Sequence, residues 1–203
     1  MSNIKCECGA LYCSDLSDDV RIHKRQHDEW ANGVKSDAFS APIGTHGGYR
    51  FTIVPPTARL AARMVAERLG RIGNRETHYD GGVYHSDGQG LQEHQIHALL
   101  AWYGRRAIGI LVLDRREREA YLRWDDAVPG HSYRLTPARP PRWSVSYAWV
   151  NPAHRRKGLA SALFHAAASF AGVAVSDLGL LAPFTEGAEA LARKNSPAGF
   201  WLV

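Results

Sequence analysis

Apolar and polar positions along the chain switch between a period of two and a period near 3.6, and the switches mark its elements. Residues 49–54 alternate as a strand does and are stopped by Pro55-Pro56. Thr57 is placed to cap a helix through Leu69, with Leu60, Met64, Val65 and Leu69 on one face. Residues 70–90 are glycine-rich, carry His78, Tyr79, Asp80, Tyr84, His85 and Asp87, and read as a long loop. Residues 94–102 and 107–113 read as two strands around a hairpin at Tyr103-Gly104-Arg105-Arg106, the second apolar throughout and therefore central. A further strand is expected at 120–124, then a proline-rich excursion over 129–141.

The pattern is clearest after that excursion. Residues 143–150 are aromatic and β-branched, as a strand should be, and Asn151-Pro152 ends them. From Leu159 the apolar positions Leu159, Leu163, Ala166, Ala167 and Phe170 recur at helical spacing. A short strand at 178–181, a helix at 186–193 and a closing strand at 200–203 complete the chain. This order predicts a mixed α/β sheet. Before it, residues 1–34 read as a small separate unit and the Ser, Ala, Pro and Gly of 35–48 as a linker, leaving 49–203 as the main domain.

Composition narrows the classes. The 203 residues suit one ordinary domain with a small appendage. There is no apolar run long enough to span a bilayer and no secretory-type start, so a cytoplasmic place is expected, or a nuclear one in a eukaryotic host. The net charge of +5 comes mostly from scattered arginines rather than a basic run, so neither membrane nor direct nucleic-acid binding is expected.

All three cysteines, Cys6, Cys8 and Cys13, fall within eight residues, which argues for metal over disulfides. His23 and His27 are four apart on a predicted helix that Ser17 would cap, with Asp18 and Asp19 in its first turn. Cys6, Cys8, His23 and His27 would complete a tetrahedral zinc site, with Cys13 in reserve, and a segment this short has little core without a metal. The acidic residues Asp15, Asp18 and Asp19 at the helix start would meet phosphate repulsively, so the finger is expected to contact protein or stabilise the fold rather than read DNA.

The junction between the 143–150 strand and the helix at Leu159 carries the second chemistry. A helix start offers unpaired N–H groups and a positive dipole end, and Arg155, Arg156 and Lys157 add full charges beside the small Gly158 and Ala160. A diphosphate would be held there. Arg155-x-x-Gly158-x-Ala160 after a strand resembles the pyrophosphate motif of GNAT acetyltransferases. That resemblance implies acetyl-CoA as cosubstrate, bound by Arg155, Arg156, Lys157, Gly158, Leu159, Ala160 and Ser161, with the backbone of Ala148, Trp149 and Val150 along the pantetheine arm.

Three segments in order are similar to the cohesion-establishment (ESCO-type) acetyltransferases: Cys8-Gly9-Ala10-Leu11-Tyr12 with Asp19, His23 and His27; Trp149-Val150 with residues 155–161; and Thr185-Glu186-Gly187 through Gly199-Phe200-Trp201-Leu202-Val203. One residue separates Cys6 from Cys8 where that family has two. The resemblance implies a GNAT acyl-CoA acyltransferase fold preceded by a C2H2-like zinc finger, and acetyl transfer to an amine, expected to be a lysine of a protein partner. It places an active-site serine at Ser146. The family's carboxylate before its terminal motif has no counterpart in Ala182-Pro183-Phe184. Glu186 is the nearest acid and the candidate base, with a plain helix-start role equally open. Tyr147 and Tyr133 are candidate proton donors to the leaving thiolate. The missing carboxylate also supports a second reading, a catalytically weakened acetyl-CoA-binding protein that acts through its finger as an interaction module.

Overall fold

A computed structural model describes residues 2–79, 84–88, 90–128, 131–182 and 185–203. A small hairpin of β1 (Asn3–Lys5) and β2 (Leu11–Cys13) leads into α1 (Ser17–Asn32). Then follow β3 (Val34–Lys35), β4 (Ala41–His46), β5 (Tyr49–Val54), α2 (Leu60–Thr77), β6 (His97–Tyr103) and β7 (Arg106–Leu122). The chain continues with β8 (Thr136–Val150), α3 (Leu159–Ala171), β9 (Gly179–Leu180), α4 (Glu186–Asn195) and β10 (Phe200–Leu202). Eight strands form one sheet in the order β10-β9-β8-β7-β6-β5-β4, with β3 paired to β7 and β10 closing back on β7. It is a mixed α/β sheet, as the element order implied.

The two faces of the sheet bury separate cores. On one, Val65, Ala66, Leu69 and Ile72 of α2 meet Leu100, Trp102, Ile110, Val112 and Trp149. On the other, Leu159, Leu163, Phe164 and Ala167 of α3 meet Leu99, Leu111, Leu113, Val145 and Val150. β7 supplies both, its apolar residues alternating between faces, which is why residues 108–113 read as an unbroken apolar run. Burying each such aliphatic side chain contributes roughly 1.5–3 kcal/mol.

Several expected boundaries move. Residues 35–48 are not a linker: Val34 and Lys35 pair with Ala107 and Arg106, and residues 41–46 pair along β5, so this stretch belongs to the main sheet. The helix after Pro55-Pro56 begins at Leu60 without a side-chain cap and runs to Thr77, so Gly70 and Gly73 are helical rather than loop. Val65 and Leu69 are buried as expected, but Leu60 and Met64 are 54% and 48% exposed, and Ala62, Ala66 and Ile72 complete the buried stripe. The strand expected at 120–124 is the far end of β7, where Ala120–Leu122 pairs with β10. Thr136 through Pro141, expected in an excursion, are the first half of β8. Ser17 opens α1 but does not cap it, and Asp19 instead accepts from the Cys13 N–H at 3.2 Å.

Candidate active site

β8 pairs with β7 from Arg142 to Val150 and again at Thr136 and Pro137, but with β9 only at Ser144 and Val145, opposite Gly179 and Leu180. The last contact between β8 and the segment after β9 is the Leu181 N–H donating to the Val145 carbonyl at 3.2 Å. Beyond it, residues 146–150 have no strand neighbour on that side among the described residues, so half of their backbone groups face the gap. Ser146 sits at a bulge: Val145 faces Leu113 and Tyr147 faces Val112, leaving Ser146 as the extra residue. The bulge passes the chain from Val145 on the α3 face to Tyr147 and Trp149 on the α2 face. An extended ligand can pair with this edge.

The edge runs straight into a helix start. After Val150, Asn151 is fully buried, its side-chain oxygen accepting from the Ala153 N–H at 3.0 Å and its side-chain nitrogen donating to the Trp30 carbonyl. Arg156 takes the left-handed conformation with φ of 60°, and Gly158 caps α3 with φ of 78°. A β-carbon on Gly158 would meet nothing within 4 Å, so the glycine answers to its backbone angle and the space above the helix start is open. Arg156, Lys157 and Gly158 are exposed, Ala160 and Ser161 partly buried, and Leu159 is anchored in the core. Lys157 Nζ donates to the Ala153 carbonyl at 2.8 Å. Arg155 differs from its neighbours. Its Nε donates to the Val150 carbonyl at 2.8 Å and its Nη2 lies 2.7 Å from a carboxylate oxygen of Glu76, so it braces the loop rather than reaching outward.

At the amino-terminal end, one ligand atom from each of Cys6, Cys8, His23 and His27 falls within 4.8 Å of the others. Cys6 Sγ is 3.3 Å from His27 Nδ1 and Cys8 Sγ is 3.7 Å from His23 Nε2. The short cysteine spacing is accommodated by a tight turn, in which the Gly9 N–H donates to the Cys6 carbonyl and Gly9 has φ of 80°. Cys13 is buried in β2 outside the group, so Cys6 is the fourth member and the reserve is not needed. Burial and the neighbouring His27 hold His23 below its ordinary pKa, favouring the neutral imidazole that a metal takes. Two thiolates and two imidazoles suit a tetrahedral zinc ion.

A profile of the Acetyltransferase (GNAT) family matches residues 64–179, more than half of the chain. The chain belongs to this family. Among curated proteins none matches its sequence. Of solved structures, the xEco2 acetyltransferase domain bound to a CoA conjugate superposes with a TM-score of 0.64 at 19% identity, covering 81% of this chain and 98% of that one. A second structure of the xEco2 acetyltransferase domain superposes with a TM-score of 0.61 at 19% identity, covering 83% of this chain and 98% of that one. At this identity the likeness is one of fold, and it is the ESCO-type fold that the sequence resembled.

Within this GNAT domain the expected catalytic residues are scattered. Ser146 is half-buried at the bulge. The Tyr147 hydroxyl points to α2, donating to the Gly70 carbonyl at 3.4 Å, and burial, with Glu76 and Tyr79, drives its pKa far up, so it holds its proton firmly. Tyr133 is tied into its own loop, donating to the Asp126 carbonyl and accepting from the Val128 N–H. Glu186 is exposed in the first turn of α4, behind Thr185, which caps that helix. Pro183 and Phe184 lie outside the described residues.

Two carboxylates escaped the sequence reading. Asp114 is 4% exposed on β7, accepting from the Ser144 hydroxyl and paired with Arg116. Ser144 itself is fully buried, two residues before Ser146, where β8 and β9 part. The available signal was a charged residue directly following the apolar run 108–113. Glu76 gave no signal, because it falls in the stretch read as loop.

Proposed function

We propose that this GNAT protein transfers an acetyl group from acetyl-CoA to an amine, a lysine side chain of a protein partner, and carries a structural zinc ion at Cys6, Cys8, His23 and His27. The observation that carries the reading is the continuity of the unpaired edge of β8, the bulge at Ser146 and the open, glycine-capped start of α3. The pantetheine arm would lie along residues 146–150, and the diphosphate would take the N–H groups of residues 158–161 with the charges of Arg156 and Lys157.

In the transfer the amine nitrogen attacks the thioester carbonyl, the new C–N bond forms, and the C–S bond breaks. The amine loses a proton and the leaving thiolate takes one up. Most of the rate gain comes from holding the two reactants together, and a base adds to it. Ser146 stands where the strands part; Glu186, the acid the sequence offered, and Asp114, the buried acid that accepts from Ser144, are the candidate bases. The acceptor is read as a protein from the finger and the ESCO-type fold; nucleic acid and membrane are not expected as ligands. Among the described residues no helix is long and apolar enough to cross a membrane.

The absence of a carboxylate at Ala182 favours a second reading, a coenzyme-binding adaptor with weakened catalysis. Incubation of the protein with labelled acetyl-CoA and candidate protein acceptors, read by mass spectrometry, separates the two. Enzyme-dependent lysine acetylation is the expected result. Coenzyme binding with only the spontaneous acetylation rate would establish the adaptor instead.

A further inference from the structure

One carboxylate joins the metal cluster to the coenzyme loop. Glu76, in the last turn of α2, accepts from Trp30 Nε1 of α1 at 3.1 Å and from Trp149 Nε1 of β8 at 2.8 Å. The same carboxylate lies 2.7 Å from Arg155 Nη2, in the loop before α3. Its side chain is 17% exposed, so water cannot readily replace these donors. Trp30 follows His27 by three residues, and their rings are 5.3 Å apart. The neighbouring Arg75 fastens the other half of the cluster: its Nε donates to the Cys8 carbonyl at 3.0 Å. The turn fits there so closely that a β-carbon on Gly9 would sit 2.1 Å from the Arg75 carbonyl oxygen. The Trp30 carbonyl in turn accepts from Asn151, at the start of the coenzyme loop.

We propose that Glu76 is a positioning residue that couples metal occupancy of the finger to coenzyme affinity at the α3 start. With the metal in place, α1 and the Cys8 turn are fixed, Trp30 meets Glu76, and the carboxylate and the Trp30 carbonyl together hold Arg155 and Asn151. Without it, α1 loses its tie to the turn, Glu76 loses one donor, and Asn151 loses its acceptor. The loop that orients Arg156, Lys157 and the N–H groups of α3 then samples more conformations, and an anion binding there must order it again. The coupling runs both ways, since linked equilibria share one free energy. This inference rests on the reading that acetyl-CoA is held at that loop.

The test uses the full chain with zinc and coenzyme A as probes. Calorimetry should show coenzyme A binding weakened on the order of tenfold after chelation, and chelator competition should show zinc held tighter by the same factor when coenzyme A is saturating. In Trp30→Phe, which removes the indole donor and keeps an aromatic ring, the factor should shrink towards one while both probes still bind. Glu76→Gln, which can still accept from an indole but cannot pair with Arg155, should weaken coenzyme A binding with zinc present. Should the metal-free chain unfold, coenzyme A would tighten zinc through folding alone, and the coenzyme A affinity of zinc-loaded, folded Glu76→Gln, unchanged from the parent, would overturn the coupling. Zinc affinity indifferent to coenzyme A, or a full factor in Trp30→Phe, would overturn the coupling alone. A zinc-loaded chain that binds no coenzyme A would overturn the acetyltransferase reading and the coupling with it.

Discussion

Gly73 of α2 and Tyr147 of β8 are in such close register that a β-carbon on the glycine would stand 2.0 Å from the tyrosine hydroxyl and 2.7 Å from the Trp149 ring. The helix can lie on the sheet here only because residue 73 has no side chain. Gly73→Ala should therefore destabilise the fold by about 1–3 kcal/mol through overpacking, despite the better helix propensity of alanine. Adding Tyr147→Phe should recover part of the loss by removing the nearest atom. Urea midpoints of the two variants check this, and equal stability of Gly73→Ala and the parent would contradict the packing.

The three basic residues of the loop before α3 should respond differently to charge reversal. Arg156→Glu with Lys157→Glu should abolish most coenzyme A binding and leave the melting temperature of the unliganded protein nearly unchanged, since both residues are exposed. Arg155→Glu should lower that melting temperature as well, because it sets a second carboxylate against Glu76. Calorimetry of binding alongside thermal melts distinguishes them. Identical behaviour of the three positions would contradict the bracing role of Arg155.

Metal analysis should find one zinc per chain, lost in Cys8→Ser and His27→Ala variants but not in Cys13→Ser beyond any effect on folding. Chelation should lower the melting temperature of the whole chain rather than melt residues 1–34 alone. The reason is that α1 is bonded to α2 and to Asn151, and β3 is a strand of the main sheet. An unchanged main transition after chelation would show two independent units.

For catalysis, Ser146→Ala should lower turnover and leave coenzyme affinity close to the parent, because backbone groups would hold the pantetheine. Removal of the general base should cost on the order of a hundredfold or more and flatten the pH dependence. Glu186→Gln and Asp114→Asn are the two candidates. Asp114→Asn should also destabilise the fold, since its buried carboxylate accepts from Ser144 and pairs with Arg116. Full activity with an unchanged pH profile in both would exclude either carboxylate as the base.

His97 supplies a pH dependence of stability. Burial between Trp143 and Phe170 holds its pKa below the usual 6.5, against the raising influence of its contact with the Gln95 carbonyl. A lowered folded value means that the unfolded chain binds the proton first. The stability it contributes is present in full above about pH 6.5 and is lost as the pH falls through the lowered value. Denaturant midpoints from pH 7.5 to 5 should fall towards acid, and less steeply in His97→Gln. An unaltered slope in that variant would remove His97 as the cause.

The local patterns were legible in the chain: the hairpin at Gly104, the apolar β7 run, the switch from β8 to α3, the histidines one turn apart and the basic glycine loop. Each depends on neighbours within a few residues, where period and turn chemistry act directly. The short cysteine spacing and the candidacy of Cys6 were legible too, but the choice of Cys6 over Cys13 was not. Three-dimensional pairing decided that choice, and it also decided the rest. A polar stretch such as 35–48 becomes strand because β5 and β7 offer it backbone partners, which composition does not reveal. Glycines 70 and 73 look like loop in sequence and are helix because α2 packs on the sheet, which at Gly73 leaves no room for a side chain. Glu76 and Arg155 are ordinary charges along the chain, and only the packing of α1, α2 and β8 brings two indoles and a guanidinium to one carboxylate.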